Sequence, residues 1–320
     1  MGGRRNAVYI WTIVVLAVLA GLSIVPTPFY VLAPGGAIDL GKRITVAGHA
    51  VPARRLYLTD VVLARASVLL LAAAVLPGTR IVRRERVMPA GESARGYDRV
   101  MSDAMGESQN VAAIVAERAA GFRVDLPSSR ICIVDVSAQS GERVLRRGDC
   151  FARVGAITIS TEPDLRRALA SLGRVRSVRA RVLRDGSEHD LDVPIMETAH
   201  GPRLGMIVSE RVPAADLPVA VRYAFDDVSG SSGGLMFALQ IYSALRGIRS
   251  GDPVAGTGTI ALDGHVGPIE GTRQKLIAAE RAGAKLFFVP VANYAEIAHE
   301  NGIRIVPVAT FAQALQVLRV

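Results

Sequence analysis

The sequence predicts a mixed α/β (α+β) protein with an N-terminal transmembrane helix. Three observations carry that prediction. Residues 7–25 hold no charge and include Trp11 near one end, a length that spans a bilayer core as a helix. Residues 121–197 read as short apolar strands between Gly-containing turns, a small β-rich unit. From residue 230 a Gly/Ser turn runs into an apolar segment of helical spacing, and strand-like and helix-like runs follow to residue 318.

Composition narrows the function classes. The chain has 320 residues, enough for about two domains, and half of them are apolar. The net charge is +9, from 38 basic residues of which only Lys42, Lys275 and Lys285 are lysines. The arginines are scattered and aromatics make up only 5%, so there is no stacking platform for nucleic acid. An anionic membrane surface suits the charge better. No G-x-x-x-x-G-K-[ST] occurs, so no P-loop is expected, and no Cys/His spacing supports a metal. No cofactor is expected.

In chain order, residues 1–6 form a basic tip carrying Arg4 and Arg5. No basic residue follows the apolar run until Lys42, so the N-terminus is expected in the cytoplasm and the body outside. Pro26 and Pro28 break the helix, and Phe29 and Tyr30 supply an interfacial anchor. Residues 26–120 make a juxtamembrane region. Strands are expected at 44–46 and 55–63. The apolar run 66–76 is too short to span and reads as a buried or membrane-grazing helix. Residues 98–120 have helical spacing, with Tyr97, Met101, Met105, Val111, Ile114 and Val115 as the apolar set and Gly121 as the stop.

Residues 121–197 resemble a PDZ domain of the bacterial protease type. The resemblance rests on a strand at 131–136, a Gly148-Asp149 turn before a second strand, a helix from Glu162-Pro163 onward, and a hairpin turning at Asp185-Gly186. It implies a groove between the strand at 131–136 and the helix, accepting an extended peptide by strand addition. Cys132 and Cys150 both lie here; a disulfide and two buried thiols are equally open readings.

The C-terminal part, residues 200–320, carries the chemistry. Asp226 and Asp227 lead into Gly230-Ser231-Ser232-Gly233-Gly234, then an apolar helix over 235–245. Glycines let a substrate backbone approach, and a helix N-terminus offers N–H groups to developing negative charge. Where positive charge alone is needed this chain uses Arg, which cannot lose its proton; a buried Lys can. Lys275 has Ala278, Ala279 and Ala282 on its helix face, surroundings that suit a desolvated amine.

From about 200 to 310 these motifs resemble the proteolytic domain of Lon-type proteases, which use a Ser–Lys dyad. Gly230-Ser231-Ser232-Gly233-Gly234 stands where that family has Gly-Pro-Ser-Ala-Gly. Gly267 to Lys275 corresponds to the lysine segment, and Thr257 to the threonine that orients the lysine. The resemblance implies Ser232 and Lys275 as the catalytic pair, Thr257 in support, and Gly230, Ser231 and Gly233 as the oxyanion loop. Ser231 and Gly233 depart from the family's Pro and Ala. Residues 30–120 are more weakly similar to the membrane-anchored, PDZ-containing branch. The resemblance implies a serine endopeptidase acting on polypeptides; with no P-loop it is expected to work without ATP, and the Lys/Arg bias places it outside the cell membrane. Lon-type domains imply a homo-oligomeric ring. Two rivals stand beside it. G-x-S-x-G also fits an α/β-hydrolase, with Asp252 or Asp263 and His265 or His299. The other is a membrane-anchored PDZ scaffold without activity.

Overall fold

A computed structural model describes residues 2–52, 54–73, 78–88, 94–125, 129–136, 144–173, 175–198, 201–212, 217–225, 228–248 and 251–318. Asp226, Asp227 and the end of the 66–76 run lie outside the described residues. In chain order come α1 (Gly2–Ile24), β1 (Pro26–Asp39), β2 (Ile44–Val46), β3 (Leu56–Ser67), α2 (Val68–Ala73), β4 (Arg80–Arg83) and α3 (Ala94–Ala119). There follow β5 (Arg130–Val136), β6 (Cys150–Val154), α4 (Glu162–Ala170), β7 (Ser177–Arg184), β8 (Ser187–Pro194), β9 (Met206–Arg211) and β10 (Val221–Tyr223). The last are α5 (Gly234–Leu245), β11 (Val254–Gly256), α6 (Thr272–Arg281), β12 (Leu286–Pro290), β13 (Arg304–Val308) and α7 (Phe311–Leu318).

One six-stranded sheet organises the body, in the order β13-β12-β11-β3-β1-β4. β3, β11, β12 and β13 run parallel to one another, while β1 is antiparallel to both β3 and β4. The sheet therefore joins strands from residues 26–83 to strands from residues 254–308. This sheet thus draws on residues on both sides of position 200, since β11 lies between β12 and the distant β3.

The pleat sorts side chains onto two faces. Leu56, Leu58, Val254 and Phe288 join a core with α3, α5 and α7. Tyr57, Ala255, Phe287 and Val289 join a second core with Leu276 and Ala279 of α6. α5 and α6 thus cover opposite faces. α3 matches its expected stripe: Met105, Val111, Ile114 and Val115 are buried against α5.

Residues 130–211 form a separate sheet, β9-β5-β6-β7-β8, around Ile131, Ile133, Phe151, Val178, Val182 and Val193. The Asp185-Gly186 turn has positive φ at both residues, as a tight hairpin requires. α4 opens with a Thr161/Asp164 capping box and Pro163 in its first turn. The buried Asp149 carboxylate accepts two hydrogen bonds from Arg184. One expectation is corrected. β5 is paired by β9 along its length and by β6 over Ile131 to Ile133 on its other side, so it keeps no full-length edge for a peptide. Among the described strands this sheet ends at β9 on one side and at β8 on the other.

Cys132 and Cys150 face each other across β5 and β6 and form a disulfide closing an 18-residue separation. Replacing both by Ala is expected to lower the stability of this module by about 2–4 kcal/mol. Thermal denaturation of the full chain, with and without reductant, reads the loss as an earlier transition.

Among the described residues no helix is long and apolar enough to cross a membrane. The side chains of α1 are described only from Ile10 onward, a stretch shorter than the about 20 residues a span needs. Within it Ile10, Trp11, Ile13, Leu16 and Val18 are all more than half exposed.

Candidate active site

Ser232 sits in the turn that enters α5, and the turn's shape follows from its glycines. Gly230 has φ +93°, a left-handed conformation open to glycine, and its N–H donates to the Met101 carbonyl of α3. Gly233 and Gly234 answer a need for space. A Cβ on Gly233 would lie 2.8 Å from the Phe237 ring, and one on Gly234 would lie 2.8 Å from Ile260 and from Ser108. Ser231 is anchored through its carbonyl, which accepts from Ser108 Oγ at 3.0 Å and from the Gly234 N–H. α3 thus fixes the nucleophile turn at two points, Met101 and Ser108.

Thr257 follows β11 at the carboxyl end of a parallel strand, where open α/β sheets present reactive groups. It is fully buried. Its Oγ1 donates to the Ser232 carbonyl at 3.0 Å, and the next N–H, on Gly258, donates to the same oxygen at 2.8 Å. Lys275 arrives from the other face of the sheet, in the first turn of α6. Gly271 starts that helix at φ +74°, packed so closely on Val61 that a Cβ would lie 2.8 Å from it.

The three side chains meet. Lys275 Nζ is 2.6 Å from Ser232 Oγ and 3.1 Å from Thr257 Oγ1. Lys275 is 3% exposed, beside buried Leu276, Ala278 and Ala279. Burial lowers its amine to about 8, and the charge of Asp60 opposes that shift. Lys42 and Lys285 are exposed on the surface.

Sign and window follow from that value. Below about pH 8 the amine is protonated and cannot take a proton from Ser232; above it the neutral base prevails. Hydrolysis is expected to rise through pH 8 and level off above it, measured as kcat/KM from pH 6 to 10. A flat profile across pH 6–9 would exclude Lys275 as the base. Folding stability should also rise between about 8 and the ordinary lysine value, because there the unfolded chain holds a proton that the folded chain has released.

The rival residues stay away from this point. His265 is exposed on a hairpin, with its N–H on Asp263, and His299 is 70% exposed beside Glu300. Asp252 is exposed as well. No described histidine lines the cleft at Ser232.

That cleft measures about 140 Å³, and its walls include Leu58, Asp60, Val61, Met105, Val228, Gly230 and Lys275. Asp60 was not foreseen as a site residue. Its signal was an acidic residue inside an otherwise apolar strand, Leu56-Tyr57-Leu58-Thr59-Asp60-Val61-Val62. Gly36 N–H donates to Asp60 Oδ1 from the point where β1 slips register against β3. Among the described residues no group of His, Cys, Asp and Glu could hold a metal ion.

Residues 224–318 match the family described as the Lon protease (S16) C-terminal proteolytic domain. Lon protease 2 of Bacillus subtilis is 39% identical over 89 residues, 28% of this chain and 16% of that protein. The Lon protease of Neorickettsia sennetsu is 36% identical over 91 residues, 27% of this chain and 11% of its own length. The archaeal Lon protease of Archaeoglobus fulgidus is 32% identical over 96 residues, 29% and 16% respectively. The similarity thus covers less than a third of this chain and no more than 16% of these relatives. It supports peptidase function of the serine type.

Proposed function

We propose that this chain is a membrane-anchored serine endopeptidase that hydrolyses polypeptides through a Ser232–Lys275 dyad without ATP. The observation that carries the reading is the 2.6 Å contact between the buried Lys275 amine and Ser232 Oγ, with Thr257 Oγ1 at 3.1 Å from that amine. Neutral Lys275 takes the Ser232 proton as Oγ attacks the scissile carbonyl. The protonated amine then returns that proton to the leaving amine, and water repeats the sequence on the acyl-enzyme. Thr257 holds the amine in line. Among the described contacts the Ser232 and Gly233 amides make no hydrogen bond within the turn, so they are our choice of oxyanion donors. Gly230 shapes the turn instead, since its N–H is committed to Met101.

The finer parts of the reading have their own support. Anchoring rests on the uncharged residues 7–25 in α1, with Arg4 and Arg5 keeping the tip in the cytoplasm and the protease domain outside. The 130–211 module has the strand and helix pattern of a PDZ domain, and its free β9 edge is where an extended substrate would add. ATP independence rests on the missing P-loop pattern. A homo-oligomeric ring remains part of the proposal, and no nucleic acid is involved.

The test is cleavage of casein, as an unfolded polypeptide, by the full chain in detergent micelles without nucleotide. The parent chain should produce fragments and Ser232→Ala should not. A parent that leaves casein intact, with the fold verified, would instead favour an inactive membrane-bound scaffold.

A further inference from the structure

The cleft at Ser232 carries a carboxylate that takes and gives no proton in the proposed hydrolysis. Among the described residues that line it, Asp60 is the one acidic group and Lys275 the one basic group. A working dyad needs Lys275 neutral, which leaves Asp60 as the net charge of the lining. The carboxylate is held in place, because Gly36 N–H donates to Oδ1 from the register slip in β1. No described arginine or lysine forms an ion pair with it. Beside it the lining mixes the apolar Val61, Met105 and Val228 with the hydroxyl-bearing Thr59, Ser229 and Ser232.

A fixed carboxylate beside apolar Val61, Met105 and Val228 suits one kind of substrate side chain, a long alkyl stem ending in a cation. We propose that Asp60 makes this site select polypeptides with Lys or Arg directly flanking the scissile bond. The selection rests on the peptidase reading given above. Glu or Asp at that position would meet like charge, and an uncharged aliphatic chain would leave the carboxylate without a partner.

The experiment compares two peptides that differ only in having Lys or norleucine beside the cleaved bond. Norleucine keeps the stem and removes the ammonium. For the full chain in micelles, kcat/KM should favour the Lys peptide by about 10–100-fold, the range of a charge-assisted contact. Asp60→Asn retains an oxygen for Gly36 N–H, and there the ratio should fall to near one. Asp60→Lys should reverse the preference toward a Glu peptide. A ratio near one in the parent, or a Lys preference that survives Asp60→Asn, would overturn the assignment while leaving the dyad intact. Binding of the same peptides to Ser232→Ala, read by fluorescence anisotropy, separates the two questions. Equal affinities there would overturn the Asp60 selection even in a chain that cleaves nothing, whereas tighter Lys-peptide binding lost in Ser232→Ala/Asp60→Asn would uphold it.

Discussion

Lys275→Arg is expected to lower kcat/KM for casein or a peptide substrate by about 10²–10⁴-fold, the usual contribution of a general base. Guanidinium keeps the positive charge and hydrogen-bond donors but does not deprotonate in a protein, so it cannot accept the Ser232 proton. The loss should persist at pH 10, where a lysine near 8 is already neutral. That persistence separates a missing base from a merely shifted one. Circular dichroism and the thermal midpoint check that the fold survives. Retained activity in Lys275→Arg would mean that some other group serves Ser232.

Phe237→Ala carries the largest expected stability effect, about 3–5 kcal/mol, because a fully buried ring leaves a cavity that close packing only partly refills. The Phe237 ring packs edge-on to Tyr223 and tilted against Phe225, with centroids 5.9 and 5.3 Å away. It also supports the nucleophile turn directly, lying where a Gly233 side chain would go. Urea denaturation should therefore show a lower midpoint. Ser232 should also react more slowly with a fluorophosphonate probe even where the chain remains folded. Unchanged reactivity in the folded variant would mean that the turn is held by Met101 and Ser108 alone.

The meeting of Ser232, Thr257 and Lys275 was legible in the sequence because each stands in a short local motif, and because a lysine is conspicuous among arginines. Buried Ala278 and Ala279 were legible from helical spacing as well. The long strand β1 was not. Its Pro34-Gly35-Gly36 stretch follows the rules for a turn, yet in the sheet it is absorbed as a register slip against β3. The pairing of β3 with β11 was equally hidden, because residues so far apart leave no local trace of their contact. Asp60 fell into the same gap: its importance depends on α6 and the turn at Ser232 converging on it. The pairing of β9 over β5 shows the complementary limit. A strand can be recognised from its own residues, but whether its edge is free depends on a segment much later in the chain.

The sheet that places β3 beside β11 also sets an order of events during synthesis. Thr59 Oγ1 donates to the Gly256 carbonyl across a separation of 197 residues. At a translation rate of about 5–20 residues per second, the early strands wait on the order of 10–40 s for that partner. In the interval the 130–211 module emerges whole and can fold on its own core. Ser232 then appears before either Thr257 or Lys275. On the proposed dyad, a nascent chain therefore carries a nucleophile without its base, and a product truncated before Lys275 is expected to be chemically silent.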